Sequence, residues 1–261
     1  MRADYKNWVP KGMIWGLGAG CLAAAMVFAA CRILMAEGLF RTVLLIISVA
    51  AAMILFAATA WLAYLHCMFS YNGKRQLSRQ IIEGTADYVT IPDGGIGLDV
   101  GCGSGALTIA CAKRNPEAQM IGINRWGKEY ASFNKPLCER NAQAEGVSNV
   151  QFQKGDALKL DFPDETFDAV ASNYVYHNIV GVNKQDCLRE TLRVLKKGGC
   201  FALHDIMSKS RYGDMEAFAQ QLRDEGYVHV ELIDTTNGMF MSRKEALLME
   251  LSGSTLLVGR K

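Results

Sequence analysis

Leu98-Asp99-Val100-Gly101-Cys102-Gly103-Ser104-Gly105-Ala106 joins an apolar run to a glycine-rich turn, and the residues after it, to Arg114, follow a helical pattern. Glycines are required where the backbone turns sharply and a ligand approaches closer than a Cβ permits. A strand-turn-helix of this kind at the first strand of an open α/β sheet is where a nucleotide-like ligand binds. Dinucleotide-binding reductases use a similar spacing. Asp99 separates the two, because a carboxylate just before the loop repels a pyrophosphate and suits a ligand carrying positive charge.

Outward from this turn the chain alternates. Strands are predicted at Ile96–Val100, Gln119–Ile123, Val150–Lys154, Phe167–Ser172, Cys200–Asp205, Val228–Asp234 and Ser254–Gly259. Helices are predicted at Ala106–Arg114, Lys128–Glu145, Lys184–Leu195, Asp214–Glu225 and Arg243–Leu251. Such alternation predicts a doubly wound, Rossmann-like α/β sheet over residues 96–261. A polar, helical linker precedes it at 73–95, with a stretch from Arg75 to Tyr88 broken by Pro92-Asp93-Gly94-Gly95.

Residues 1–72 have a different character. Gly12–Cys31 and Thr42–Gly73 are uncharged runs of 20 and 32 residues, and about 20 residues cross a hydrocarbon core as a helix. Two membrane helices are therefore expected, at about 12–35 and 42–69, forming an antiparallel hairpin. Gly12, Gly16, Gly20 and Ala24 lie at four-residue spacing and offer a close-packing seam, though small residues are common in membrane helices anyway. A cleaved signal is disfavoured, since a second span follows at once and the candidate cleavage site abuts Arg32. Arg2, Lys6 and Lys11 before the first span, and Lys74, Arg75 and Arg79 after the second, outnumber Arg32 and Arg41 in the turn. That bias puts both termini and the α/β domain on the cytoplasmic side of the cell membrane.

The whole chain has 261 residues and a net charge of +2, but 23 Lys and Arg against 24 Asp and Glu follow Asn72. Bulk charge thus gives no support for a nucleic-acid partner. The eight cysteines form no C-x-x-C pair and no Cys/His cluster at metal-ligand spacing, so reduced thiols and no metal are expected.

Four motifs stand in order: Leu98 to Gly105, Gly155-Asp156-Ala157, Phe167-Asp168-Ala169-Val170-Ala171-Ser172-Asn173, and Leu188 to Gly199. Together they resemble the class I S-adenosylmethionine-dependent methyltransferases, especially the branch of ubiquinone and menaquinone C-methyltransferases, over about Ile96 to Lys261. The resemblance implies S-adenosylmethionine as cofactor. It implies that Asp99, Gly101, Cys102 and Gly103 lie against the methionine and ribose part, that Asp156 with Ala157 meets the adenine, and that Asn173 closes over the reacting end. One departure is plain: the family places Asp or Glu at the end of the second strand, bidentate to the ribose, and Asn124 stands here. An Asn keeps the hydrogen bonds and loses their charge-assisted part.

Methyl transfer from a sulfonium is an in-line displacement, so the protein must align the reactants and exclude water. Where the acceptor must lose a proton, His177 in Tyr174-Val175-Tyr176-His177-Asn178 is the candidate base, with a packed loop histidine as the alternative. Tyr174 and Tyr176 are expected to shape the acceptor pocket. His204, ending the fifth strand beside Asp205, is either a substrate contact or a structural cap. The membrane hairpin points to a small amphiphilic or lipid-like acceptor, or else serves only as an anchor. A nonenzymatic membrane-bound sensor or scaffold binding the same cofactor is the rival from another class.

Overall fold

The computed structural model describes residues 2–127 and 132–261. It divides into two compact units: Lys6–Ser78, and Arg79–Lys261 together with the first residues through Tyr5.

The first unit is a helical hairpin. Helix α1 covers Lys11–Leu34 and α2 covers Leu39–Phe69, so each helix begins one to three residues earlier than the sequence pattern predicts and the turn shrinks to four residues. Both are long and apolar enough to cross a membrane, and only 6% of the most apolar window of each is buried. The outward surface includes Leu22, Met26, Ile33, Ile46, Ile54 and Phe56. Hydroxyls within α2 bond back into their own helix, Ser48 to the Leu45 carbonyl and Thr59 to the Leu55 carbonyl, so these two need no water. The seam differs from the expected one. A methyl at Gly20 would lie 3.4 Å from Leu55, and one at Gly18 3.9 Å from Thr59, while Gly12 and Gly16 have nothing within 4 Å. The N-terminal segment folds onto the end of α2: His66 Nδ1 lies 2.7 Å from the Val9 carbonyl, and Asn7 Nδ2 donates to the His66 carbonyl.

The second unit is a seven-stranded sheet in the order β3-β2-β1-β4-β5-β7-β6. The strands are β1 Ile96–Val100, β2 Gln119–Asn124, β3 Val150–Lys154, β4 Phe167–Asn173, β5 Leu195–Ile206, β6 Val228–Asp234 and β7 Ser254–Arg260. All pairings are parallel except those of β7, which runs antiparallel between β5 and β6. Each of the seven predicted strands exists. Strand β5 starts earlier than expected, because Leu195 already pairs with Phe167 before a bulge at Lys196–Gly199 restores the register at Ala169 and Cys200.

The helices that cover the sheet are α3 Leu77–Ala86, α4 Ala106–Arg114, α5 Lys135–Ala144, α6 Lys184–Arg193, α7 Lys209–Tyr212, α8 Met215–Asp224 and α9 Arg243–Leu248. Predicted from Lys128, α5 begins at Lys135, where the Asn134 side chain accepts the Leu137 N–H and caps it; residues 128–131 lie outside those described. Leu98, Val100, Ile123, Phe167, Val170, Leu188, Leu192, Phe201 and Leu203 fill the core. The chain winds one way from β1 to β3 and the other way from β4, so the switch point falls between β1 and β4, at their C-terminal ends.

Candidate active site at the switch point

On the β1 side the site is made of backbone. Gly101, Gly103 and Gly105 have φ of +81°, +54° and +83°, conformations that side chains resist. The N–H groups of Gly101 and Cys102 both donate to the Ile123 carbonyl at 2.9 Å, and Gly105 N–H donates to the Cys102 carbonyl at 2.7 Å. From the outside, Trp126 Nε1 and the Cys138 thiol both donate to the Gly103 carbonyl at 3.3 Å. The loop is thus held rigidly. A Cβ on Gly103 would meet nothing nearer than the Gly101 carbonyl at 4.0 Å, so the loop forms an open cradle that a ligand can enter against bare backbone. Trp126 follows the sequence-predicted Asn124 by two residues, but nothing in the local pattern announced its reach back to the loop.

Two predicted binding residues turn inward. The Cys102 side chain is buried over β2, where a methyl on Gly122 would stand 3.0 Å from its Cβ, and only its backbone remains for a ligand. The Asp99 carboxyl is also buried and accepts the Thr108 hydroxyl at 2.6 Å. Burial pushes its pKa up to about 7, against the lowering effect of that bond. Asn124 ends β2 half-buried, with its carbonyl accepting Gly155 N–H at 3.1 Å. Asp156 closes a turn by accepting Leu158 N–H at 3.0 Å, keeps its second oxygen 3.8 Å from Arg125 Nε, and stands half-exposed beside the buried Ala157.

On the β4 side the site is made of side chains. A short 3-10 turn at Tyr176–Asn178 follows β4. His177 Nδ1 lies 2.5 Å from Asp205 Oδ1. The other oxygen of Asp205 accepts the N–H of Tyr176 at 2.8 Å and of His177 at 3.2 Å, and Ile206 N–H donates to Oδ1 at 2.7 Å. His177, foremost among the groups opposing burial, holds the Asp205 carboxyl below the usual range, so Asp205 is a buried anion that is fully partnered. With Nδ1 committed, the imidazole keeps Nε2 for other chemistry, and 16% of its side chain is exposed. Sequence reasoning put His204 ahead of Asp205; only the parallel register that sets Asn173 opposite His204 brings Asp205 under the turn.

His204 is 1% exposed, its two ring nitrogens 2.7 Å from Asn173 Oδ1 and 3.0 Å from Thr235 Oγ1, and burial drives its pKa down to about 3. It is a neutral structural cap with no edge left for a substrate, which corrects the expectation of a contact. Tyr176 is likewise corrected. Its ring is in the core and its hydroxyl bonds Thr191 Oγ1 at 2.6 Å, because the 3-10 turn rotates it inward while His177 turns outward. Tyr174 stays at the rim, with φ +54°, its hydroxyl 2.7 Å from Ser254 Oγ and its ring edge-on to both histidines. The two sides touch: a methyl on Gly101 would stand 2.3 Å from Val175, and the Ser172 hydroxyl donates to the Val100 carbonyl at 2.9 Å.

A doubly wound sheet with an open glycine cradle at its switch point, packed against the segment that leads into the His177 turn, is the architecture of a domain that binds a nucleotide-like cofactor. The chain belongs to the S-adenosylmethionine-dependent methyltransferases: the family described as a methyltransferase domain matches residues 92–245. An uncharacterized methyltransferase of Bacillus subtilis is 31% identical over 151 residues, which cover 57% of this chain and 56% of the relative. A 2-phytyl-1,4-naphtoquinone methyltransferase of Thermosynechococcus vestitus is 29% identical over 135 residues, 51% of this chain and 56% of the relative. The chain thus spans little more than half the length of these curated relatives. Among solved structures, the [4+2]-cyclase SpnF aligns with a TM-score of 0.55 at 20% identity, over 73% of this chain and 84% of its own, a likeness of fold alone.

Proposed function

We propose that the protein is a membrane-anchored methyltransferase that moves the methyl group of S-adenosylmethionine to a small amphiphilic or lipid-like acceptor. The observation that carries this reading is the open cradle at Gly103 directly beside the turn that bears His177. The residues present fit the cofactor. The glycine loop admits its methionine and ribose part, Asn124 and Asp156 stand at the ends of β2 and β3 for ribose and adenine, and Asn173 ends β4 next to the loop. Asp99 lies beneath, and a positive charge in the cradle favours its ionised form. The bound cofactor supplies an electrophilic methyl on a positively charged sulfur.

The chain's own residues do the rest. The loop positions the donor without needing to move, because five hydrogen bonds already fix it. Asp205 orients the His177 ring with Nδ1–H toward itself, which leaves Nε2 to accept a proton from a hydroxyl, thiol or carbon acid as the methyl arrives. An acceptor that is already a free nucleophile would not need this step. Tyr174 walls the acceptor side. Two apolar helices with an outward apolar surface support insertion as a two-span hairpin, with both ends cytoplasmic by their flanking Arg and Lys. The quinone substrate in the name of one relative supports an amphiphilic acceptor.

The test uses membranes from cells expressing the protein, tritiated-methyl S-adenosylmethionine, and separation into solvent-extractable, aqueous and protein fractions. Label in the solvent fraction, lost with Gly103→Arg, is expected. Loop-dependent label only in the aqueous fraction would make the hairpin an anchor and nothing more, and no loop-dependent label in any fraction would favour the sensor.

A further inference from the structure

We infer that the edge formed by the loops after β4, β5 and β6 rests on the lipid leaflet, so that the acceptor side of the site opens onto the bilayer. This deepens the proposed reading and rests on it. Seven large apolar residues are exposed among the described residues of the sheet domain, and five of them, Val180, Val182, Met239, Leu247 and Leu248, lie on this one edge. Scattered exposed apolar residues need no explanation, but a grouping on one edge does. Val180 is 92% and Leu247 72% exposed.

The edge is built to hold these side chains out. Lys184 is buried with no carboxylate partner among the described residues, and its ammonium donates to the carbonyls of Ile179 and Val182. Those bonds fix the Ile179–Val182 loop, with Gly181 at φ +78° on its tip. Gln185 Nε2 donates to the Tyr212 carbonyl at 2.9 Å and ties this loop's helix to α7. Met207 N–H donates to the Gly253 carbonyl at 2.9 Å and ties the next loop to the turn behind α9. Tyr174, which walls the acceptor side, bonds Ser254 in that same turn. The loops that carry the apolar tips are therefore tied to the residues of the proposed acceptor side.

The occupant follows from the chain itself. Helix α2 ends at Phe69 and the sheet domain begins at Arg79, a stretch of at most roughly 35 Å fully extended, so a bilayer holding α2 is always within reach of the domain. On this edge Arg243 stands 4.0 Å from Asp234, and Lys209, Arg211 and Lys244 are offset along the chain by Asp214, Glu216 and Glu250. With the charges nearly balanced, the apolar tips set the affinity, and added salt leaves it unchanged.

The experiment places the full chain in nanodiscs of phosphatidylcholine with plain or brominated acyl chains and compares Val180→Trp and Leu247→Trp with the parent. Val228→Trp, exposed at the opposite end of β6, is the control. Each variant is first shown to bind S-adenosylmethionine as the parent does. A bromine-dependent loss of fluorescence beyond the parent's at 180 and 247, absent at 228 and insensitive to salt, is expected. No extra loss at 180 and 247, or an equal loss at 228, overturns the inference, as does a dimer in sedimentation without quenching. Methyl label measured in the same nanodiscs keeps the two readings apart: labelled lipid without quenching removes the lipid-facing edge and leaves the acceptor class standing.

Discussion

The two sides of the switch point are built by different means. The β1 side is shaped by main chain over five consecutive residues, Gly101 to Gly105, and nearly every bond that shapes it involves a backbone atom. The β4 side is assembled from side chains far apart in sequence: His177 with Asp205, Asn173 with His204 and Thr235, Tyr174 with Ser254. Backbone recognition depends on glycine placement and little else, so one cofactor cradle serves many reactions. Side-chain recognition can be changed one residue at a time. The donor half is therefore the general part of this molecule and the acceptor half the particular one.

If that division holds, damage to the acceptor half spares cofactor binding. Replacing His177 by Asn or Asp205 by Asn is expected to lower turnover by about 10²–10⁴-fold, the usual contribution of a positioned acid or base, with the cofactor dissociation constant unchanged. The pair acts as a unit, so the double variant should lose little more than either single one. Steady-state kinetics with cofactor titration calorimetry measures both quantities. A parallel loss of cofactor affinity would erase the division.

Asp99 tests the opposite half through pH. Its folded pKa of about 7 lies above the ordinary carboxyl value of 3.8, so between these two values the folded protein binds more protons than the unfolded chain. Stability then falls as pH rises through that window and levels off above it. Asp99→Asn cannot ionise and still accepts the Thr108 hydroxyl. Its thermal midpoint should match the parent's near pH 4 and exceed it at pH 8, by up to ~4 kcal/mol in stability. The pKa of His204, depressed to about 3 by burial, makes stability rise between there and its ordinary 6.5, but it does so in both proteins and cancels from the comparison.

The seam between the halves can be broken directly. Gly101→Ala places a methyl in a left-handed backbone position and 2.3 Å from Val175. A loss of about 1–3 kcal/mol is expected by chemical denaturation. Val175→Ala in the same chain should return the part due to the clash and not the part due to φ.

The same division explains what could be read from the chain alone. All seven strands were legible, since apolar runs bounded by turns follow a period that needs no partner. The cradle was legible because its three glycines fall within five residues. The hairpin was legible as two apolar runs, but which of its small residues meet the partner helix depends on where α2 lies. On the β4 side, His177 was singled out by its position after β4 and its bond to Asp205 was not, since the choice between His204 and Asp205 turns on side-chain direction at the end of one strand, which the sequence does not carry. Tyr176 misled for the same reason, since a single 3-10 turn decides which of two neighbouring rings enters the core.

The smallest expected effect concerns a place where the proposed donor half relies on a side chain. Asn124 stands at the end of β2, where the family resemblance implies a carboxylate for the ribose, and Arg125 beside it is mostly exposed, 3.8 Å from Asp156. Asn124→Asp would turn neutral hydrogen bonds to the ribose into charge-assisted ones, a gain of about 1 kcal/mol, or roughly 5-fold in cofactor affinity. The new charge lies near Asp156, and Arg125 is placed to balance it. Titration calorimetry in low and high salt would separate the direct bond, which persists, from this surface pairing, which is screened. An unchanged or weaker affinity would mean that Asn124 does not face the ribose, and that the donor half relies on main chain even there.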